Sequence, residues 1–412
     1  MTPLLLPTRA PTDPAPRAQI VTALVLSLGA AVSLGITRFA YGLLLPPMRD
    51  DLGWSYALAG AMNTSNAAGY LLGALLTPLL LRRMGPGPLM VWAAFAASML
   101  MALSGLFTDT GIWLVQRLAA GVTSALVFIT GGLLAARVGA REPSRAGLLI
   151  GLYYGGTGLG ISLSALVVPL TLHAAGGQAH AWGYAWAALS LLCFGGAGML
   201  LWMVRQLAVL DEASTAAASA PVSRAPVPRR RFAFGLAGYA MFGVGYIGYM
   251  TFIVALLREQ GMAPAAVMGF YALLGVAVMV SPRLWAGLLD RHRDGRPLAL
   301  LNALLGAATL APALSDDWPV VLASSVLFGA VFLSVVASTT AWVRHNLPPT
   351  QWAAGIGAFT IVFAGGQIVG PTVVGWIADG PGGLARGFIV SALALWLGAL
   401  LALRQGAVSD PH

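Results

Sequence analysis

The sequence predicts an all-α membrane protein with twelve transmembrane helices in two pseudo-symmetric six-helix bundles. Three observations carry that expectation. Of 412 residues, 58% are hydrophobic and only 9% charged, too little charge to cover a soluble protein of this length. Twelve apolar stretches of about 20 residues, enough to cross hydrocarbon as a helix, follow one another along the chain. Matching residues also recur between the first six stretches and the last six at a nearly constant offset.

Residues 1–18 are proline-rich and carry Arg9 and Arg17, which predicts a disordered cytoplasmic tail. The apolar run Leu4–Leu6 is too short for the core of a cleavable signal peptide. The first bundle, 19–203, holds spans near 20–47, 56–81, 88–107, 111–136, 147–172 and 182–203. A gap at 204–231, rich in Ala, Ser and Pro and ending in Arg229–Arg231, reads as a cytoplasmic linker. The second bundle, 232–403, holds spans near 233–257, 264–285, 297–314, 319–342, 352–377 and 384–403, before a tail at 404–412. Gly35 and Gly243, Tyr41 and Tyr249, Gly53 and Gly261, Arg83 and Arg291, and Gly121 and Gly329 are each 208 residues apart. Gly156 with Gly366 and Gly160 with Gly370 keep a spacing of 210. Two six-helix repeats joined by a linker are the layout of transporters that rock around a central site.

All 23 basic residues are arginine, and the net charge is +9. With both termini cytoplasmic, 18 arginines fall on the inner side and only Arg49, Arg258 and Arg386 outside, as the positive-inside rule demands. The basic character therefore implies no nucleic-acid partner. A composition of 51 glycines, many alanines and no lysine points to a GC-rich bacterial genome, hence a bacterial inner membrane. The single cysteine, Cys193, excludes a disulfide framework and a thiolate metal site.

Several motifs resemble the major facilitator superfamily. Arg117-Leu-Ala-Ala-Gly121 in the fourth span is similar to its Arg-x-x-x-Gly signature, and Ala286-Gly-Leu-Leu-Asp290-Arg291 to its loop motif with an Asp-Arg pair. The first-half loop, Arg82-Arg83-Met84-Gly85, departs from that motif with arginine in the aspartate position. A closer resemblance is to the YbfB/YjiJ-type branch. It is carried by Gly35-Ile-Thr-Arg38-Phe39-Ala40-Tyr41, Asn66-Ala-Ala-Gly69-Tyr70-Leu-Leu-Gly73-Ala74, Gly243-Val-Gly245-Tyr246 with Thr251-Phe252, and Gly366-Gln367-Ile-Val-Gly370-Pro371. The resemblance implies the twelve-helix major facilitator fold and transport of a small molecule. It implies no particular substrate.

The sharpest chemical signal is what ionises inside the membrane. All 14 acidic residues fall in loops or at span ends, whereas Arg38 and Arg117 lie within spans. An arginine at helix centre costs about 2.5–3.5 kcal/mol on insertion scales, so each needs a reason. At 1.5 Å per residue both lie roughly 10 Å below the outer surface. Equal depth suggests one shared anionic partner, held by planar guanidinium forks. The competing explanation makes each arginine a structural brace tied to helix carbonyls.

Tyr239, Phe242, Tyr246 and Tyr249 share one face of the seventh span, and Asn63, Asn66 and Tyr70 one face of the second. Tyr41, Tyr246, Tyr249, Asn63, Asn66 and Gln367 join the arginines as candidate substrate contacts; interhelical packing is the alternative for each. Asp290, Arg291, Gly370 and Pro371 are candidates for gating. Gly151 with Gly155, Gly156 with Gly160, and Gly366 with Gly370 read as close-packing motifs, and Pro371 as a kink. His173, His180 and His345 read as solvated residues at helix ends and in loops.

The expectation is a monomeric secondary transporter of a small solute, first an organic anion, working by alternating access without cofactor or metal. Drug or metabolite efflux with structural arginines is the alternative. A membrane-embedded enzyme is disfavoured because no buried carboxylate or histidine accompanies the isolated Cys193. A sensor is disfavoured because the linker and C-terminus hold no signalling domain.

Overall fold

A computed structural model describes residues 16–141, 145–211, 229–348 and 351–408. The expected disordered tail up to residue 15, the linker stretch 212–228 and the last four residues lie outside the described residues. Among the described residues every regular element is helical. In hydrocarbon no water is present to satisfy an open backbone, so each span closes its own hydrogen bonds as a helix.

Span 1 comprises α1 (Pro16–Ala30), a π-helical turn (Ala31–Ile36) and α2 (Ala40–Leu52). Spans 2 to 6 are α3 (Tyr56–Met84), α4 (Pro86–Ser104), α5 (Thr110–Arg141), α6 (Ala146–Ala174) and α7 (Ala181–Asp211). Span 7 is α8 (Ala233–Glu259), and span 8 joins α9 (Pro264–Leu284) to the short α10 (Ala286–Arg291). Spans 9 to 12 are α11 (Arg296–Leu314), α12 (Trp318–Asn346), α13 (Trp352–Ala378) and α14 (Gly383–Leu403). All twelve are long and apolar enough to cross a membrane. The sixth extends to Asp211, beyond the expected end at 203, and Arg229–Phe232 form a 3-10 turn at the start of the second half.

Packing repeats the pseudo-symmetry of the sequence. In the first half, span 1 packs on span 5, span 2 on span 4, and span 3 on spans 4 and 6. In the second half, span 7 packs on span 11, span 8 on span 10, and span 9 on spans 10 and 12. The halves meet where span 5 lies on span 8 and span 2 on span 11, two seams exchanged by the same symmetry. Spans 1 and 7 add a third contact.

Glycines allow these seams. Gly156 and Gly160 place span 5 against the backbone of span 1 at Ser27 and Ala31, while Gly366 and Gly370 place span 11 against span 7 at Ala240 and Val244. These pairs, 210 residues apart, occupy equivalent seams, as the close-packing reading anticipates. Between the halves, a Cβ on Gly158 would overlap the Gly275 carbonyl, one on Gly60 the Pro371 carbonyl, and one on Gly375 the Tyr56 carbonyl. Gly151 and Gly155 differ: their nearest neighbours, at Pro282 and Met279, sit at ordinary contact distance. Helix α13 continues through Pro371 rather than ending there.

Gly158→Leu is expected to destabilise the protein by about 1–3 kcal/mol, the cost of overpacking a close seam. Gly357→Ala, with nothing within 4 Å of an added Cβ, is expected to leave stability unchanged or slightly raised. Melting temperatures in detergent check both.

Candidate functional site

The site starts from the interruption of span 1. The Thr37 N–H donates to the Val32 carbonyl at 3.0 Å and the Phe39 N–H to the Leu34 carbonyl at 3.0 Å, each reaching back five residues instead of four. Such π-turns widen a helix by one residue and gather at functional sites. Gly35 sits in this turn because a Cβ there would press on the Thr157 carbonyl at 2.6 Å and on Gly160 Cα at 2.7 Å. Span 5 thereby holds the widened turn in place, and the next two residues, Thr37 and Arg38, emerge at the centre of the molecule.

Arg117, on α5, is 1% exposed. Its Nη1 donates to the Thr37 carbonyl at 3.1 Å and its Nη2 to Asn63 Oδ1 at 3.0 Å, with the guanidinium 4.8 Å from the Tyr41 ring centroid. Asn63 passes the connection across the interface, donating from Nδ2 to Thr251 Oγ1 on span 7 at 2.7 Å. Asn66 donates to the Arg117 carbonyl at 3.1 Å, and Tyr41 Oη to the Ala59 carbonyl at 2.9 Å. Arg117 is therefore a brace between spans 1, 2 and 4, with both Nη groups engaged.

Arg38 is different. It is 3% exposed, and its Nη2 donates across the interface to Gln367 Oε1 on span 11. Its guanidinium lies 5.5 Å from the Tyr70 ring centroid and 5.9 Å from that of Phe39. Arg38 Nε and Gln367 Nε2 are both buried and unpartnered, as is Arg117 Nε. The two arginines have different protein partners, Arg117 the Thr37 carbonyl and Asn63, Arg38 the Gln367 amide. Among the described residues no ion pair involves either arginine; the pairs present are Arg49–Asp50, His180–Asp51 and Arg296–Asp294.

The aromatic stripe of span 7 divides as well. Tyr249 stacks on Phe328 with centroids 4.0 Å apart, and its Oη pairs with Ser324 Oγ at 2.8 Å. These contacts tie Tyr249 to span 10 within the second half. Tyr239 and Phe242 stack on Phe363 at 5.0 and 5.2 Å, packing span 7 on span 11. Tyr246 stacks on Phe332 at 5.1 Å and on Phe363 at 5.6 Å, and lies within electrostatic reach of Arg38. Phe332 meets Phe39 of the first half edge-on at 5.7 Å.

The face opposite the chain ends is bolted shut between the halves. Ser55 caps α3 by accepting from the Leu58 N–H at 3.1 Å, and Asp379 from the second half accepts from the Tyr56 and Ala57 N–H groups at 2.7 and 2.8 Å. A carboxylate at a helix N-terminus is favourably placed against its dipole. Tyr56 Oη also bonds Glu259, under the Arg49 guanidinium 4.0 Å from its ring centroid. Deeper in, Thr64 Oγ1 donates to the Ile368 carbonyl at 2.6 Å, next to Pro371. The described hydrogen bonds between the halves reach from this face to the level of Arg38, of the Tyr271 bond to the Phe39 carbonyl and of the Ser162 bond to the Ala272 carbonyl. Asp290 and Arg291 are exposed on the face that carries the chain ends. His180 is not simply solvated: its Nδ1 pairs with Asp51 at 2.5 Å, beside the Trp182 Nε1 bond to the same carboxylate.

Sequence reasoning missed Thr37, Thr251, Phe332, Phe363 and Asp379. Phe363 had a signal, lying one helical turn before Gln367 on the same face. The Thr37 carbonyl and Asp379 had none, because their roles arise only when distant spans meet.

Two pseudo-symmetric six-helix halves closing over buried polar groups define a major facilitator fold transporter. The chain belongs to the family described as "Uncharacterised MFS-type transporter YbfB", which it matches over residues 30–403. No curated protein matches it in sequence. Among solved structures it is similar to a bacterial homologue of the human lysosomal transporter Spinster, inward-facing and unoccupied, at 15% identity and TM-score 0.68, covering 95% of this chain and 99% of that one. It is also similar to the nucleoside transporter NupG, at 13% identity, TM-score 0.65 and coverage of 94% and 98%. The human organic anion transporter MFSD10 follows at 18% identity, TM-score 0.63 and coverage of 95% and 100%. At these identities the likenesses show the fold. The chain is a multi-pass membrane protein of a transporter family.

Arg117→Ala strands Asn63 Oδ1 and the Thr37 carbonyl and is expected to cost about 2–3 kcal/mol, read as a lowered melting temperature. Asp379→Ala removes the acceptor at the start of α3. Spin labels at the exposed positions Asp50 and Ala265 are then expected to show longer, broader distances than in the parent protein.

Proposed function

We propose that this protein is a secondary active transporter that moves a small organic anion across a bacterial plasma membrane. Two units, 19–203 and 232–403, alternate access to a site at their interface, and the chain acts as a monomer without cofactor or nucleic acid and catalyses no covalent chemistry. The observation that carries the reading is Arg38: a buried cation between the halves, held by a neutral amide, with no carboxylate partner among the described residues. An unneutralised guanidinium is costly in a membrane interior, and an anion that arrives, pairs and leaves is the partner that offsets this cost in turn. That one neighbour in fold is an organic anion transporter supports the capacity of this architecture for such cargo.

The arginine distribution supports cytoplasmic termini. The bolted face is then external, and the site is reached from the cytoplasm. Asp290 and Arg291 lie at the face that closes when access alternates, and the Gly60–Pro371 seam between spans 2 and 11 is where the halves roll on one another. Gly370 serves packing of span 11 on span 7, not the gate itself.

The test is thermal-shift screening of the purified protein with organic acids, sugars, amino acids and cationic drugs, on wild type and on Arg38→Ala. Stabilisation by an acid is expected, with affinity reduced about 10- to 100-fold in the variant, the worth of one charge-assisted contact. Equal stabilisation of both proteins by neutral or cationic compounds, with none from acids, overturns the reading.

A further inference from the structure

Resting on the organic-anion reading, we propose that the cargo is a planar aromatic monocarboxylate, and that its carboxylate takes the place that the Gln367 amide oxygen holds on Arg38. The Gln367 amide oxygen holds Arg38 Nη2 as one carboxylate oxygen would. Arg38 Nε, beside it on the fork, is buried without a partner, so a carboxylate that displaces the amide gains the bidentate geometry that one amide oxygen cannot supply. The displaced Gln367 keeps a role, because its Nε2, also buried and unpartnered, is a third donor for the same carboxylate. One oxygen acceptor is thus exchanged for two, met by three donors drawn from both halves.

The number of carboxylates follows from Arg117. Its Nε is buried without a partner like that of Arg38, but a carboxylate seated there would compete with the Nη bonds to the Thr37 carbonyl and Asn63 that tie spans 1, 2 and 4 together, so a second carboxylate on the cargo gains less than the first. The aromatic character follows from the walls. On the first half the half-buried Tyr70 ring lies 5.5 Å from the guanidinium. On the second half Tyr246, Phe332 and Phe363 form a near-parallel stack, with interplanar angles of 24° for Tyr246–Phe332 and 18° for Tyr246–Phe363. Phe363 is half-buried and sits one turn from Gln367 on α13. A flat ring carried on a carboxylate at Arg38 extends this stack, whereas a flexible alkyl chain loses rotamer freedom to lie against it.

The experiment measures binding to the purified full-length protein in detergent, by calorimetry and thermal shift, for benzoate, hexanoate, terephthalate and benzamide. Benzoate is expected to bind at least tenfold more tightly than hexanoate or terephthalate, and benzamide not at all. Gln367→Glu places a permanent carboxylate on Arg38; it is expected to weaken benzoate at least tenfold without lowering the melting temperature of the unliganded protein. Phe363→Leu is expected to weaken benzoate severalfold and leave hexanoate unchanged, which keeps the test independent of whether Gln367→Glu folds. Equal binding of benzoate and hexanoate, both lost in Arg38→Ala, overturns the aromatic assignment and leaves the anion reading standing. Undiminished benzoate binding by Gln367→Glu overturns the exchange at Gln367. Failure of every acid to bind the wild type overturns both.

Discussion

A guanidinium cannot be left alone in a medium of low dielectric, and this protein carries two of them at its centre. Insertion of one costs about 2.5–3.5 kcal/mol, so local structure must return that energy or leave it available to a ligand. The two arginines take these two routes. Arg117 is answered by a main-chain carbonyl, a side-chain amide and the Tyr41 ring. The carbonyl is that of Thr37, the residue that follows the π-turn, which exists because Gly35 and Gly160 let spans 1 and 5 touch backbone to backbone. Arg38, the next residue along, has one hydrogen-bond partner, an amide from the opposite half, beside the Tyr70 and Phe39 rings. One local deformation of span 1 thus positions the acceptor for the brace and, beside it, the guanidinium that the proposed cargo would meet.

The division of labour among the polar residues follows from those two answers. Asn63 is satisfied at both ends, by Arg117 and by Thr251, and belongs to the brace. Asn66 leans on the Arg117 main chain, and Tyr41 shields that guanidinium while bonding Ala59. Gln367 and Tyr246, by contrast, face Arg38 from the other half. The first group is tied to Arg117 within the first half, with Asn63 also reaching Thr251 of the second; Gln367 bonds Arg38 from the second half.

The spans, the repeat and the two intramembrane arginines were all legible in the sequence, because each depends on something local: a 20-residue apolar length, a fixed offset, a charge in an apolar run. Glycine pairs at four-residue spacing were legible as packing motifs for the same reason, although spacing alone did not separate Gly156 and Gly160, which meet span 1, from Gly151 and Gly155, which make only ordinary contacts. Depth along a helix was legible, but direction around it was not. Arg38 and Arg117 lie at one depth and point to different partners, and Tyr246 and Tyr249 share a stripe while only Tyr246 faces the interface. A three-residue step turns a helix by 300°, so a span that touches three neighbours presents successive members of one stripe to different ones. The π-turn was illegible because it adds one residue to a turn and shifts the phase of everything after it.

The same geometry explains how so apolar an interface can rock. The seams between spans 5 and 8 and between spans 2 and 11 are built on Gly158, Gly275, Gly60 and Gly375, so at these two seams the halves meet through backbone, while the ring pairs Phe39–Phe332 and Tyr56–Phe252 cross between them elsewhere. Rolling such surfaces requires little repacking. The polar links across the halves include Asp379 to the start of α3, Tyr56 to Glu259, Asn63 to Thr251, Thr64 to the Ile368 carbonyl and to Thr372, Arg38 to Gln367, Tyr271 to the Phe39 carbonyl and Ser162 to the Ala272 carbonyl. At the roughly 0.6 kcal/mol that such bonds average inside membranes, their sum is on the order of 5 kcal/mol. A ligand must supply about 5.5 kcal/mol of preference to swing a two-state equilibrium from 1:99 to 99:1. One carboxylate moving onto Arg38, at about 1.5–3 kcal/mol for each bond to a charged group, acts on that scale. A tightly interdigitated interface would put the transition out of its reach. The glycine seams and the sparsely bonded Arg38 meet one requirement of the proposed transport, because a conformational change driven by a small ion must be opposed by little more than that ion can supply.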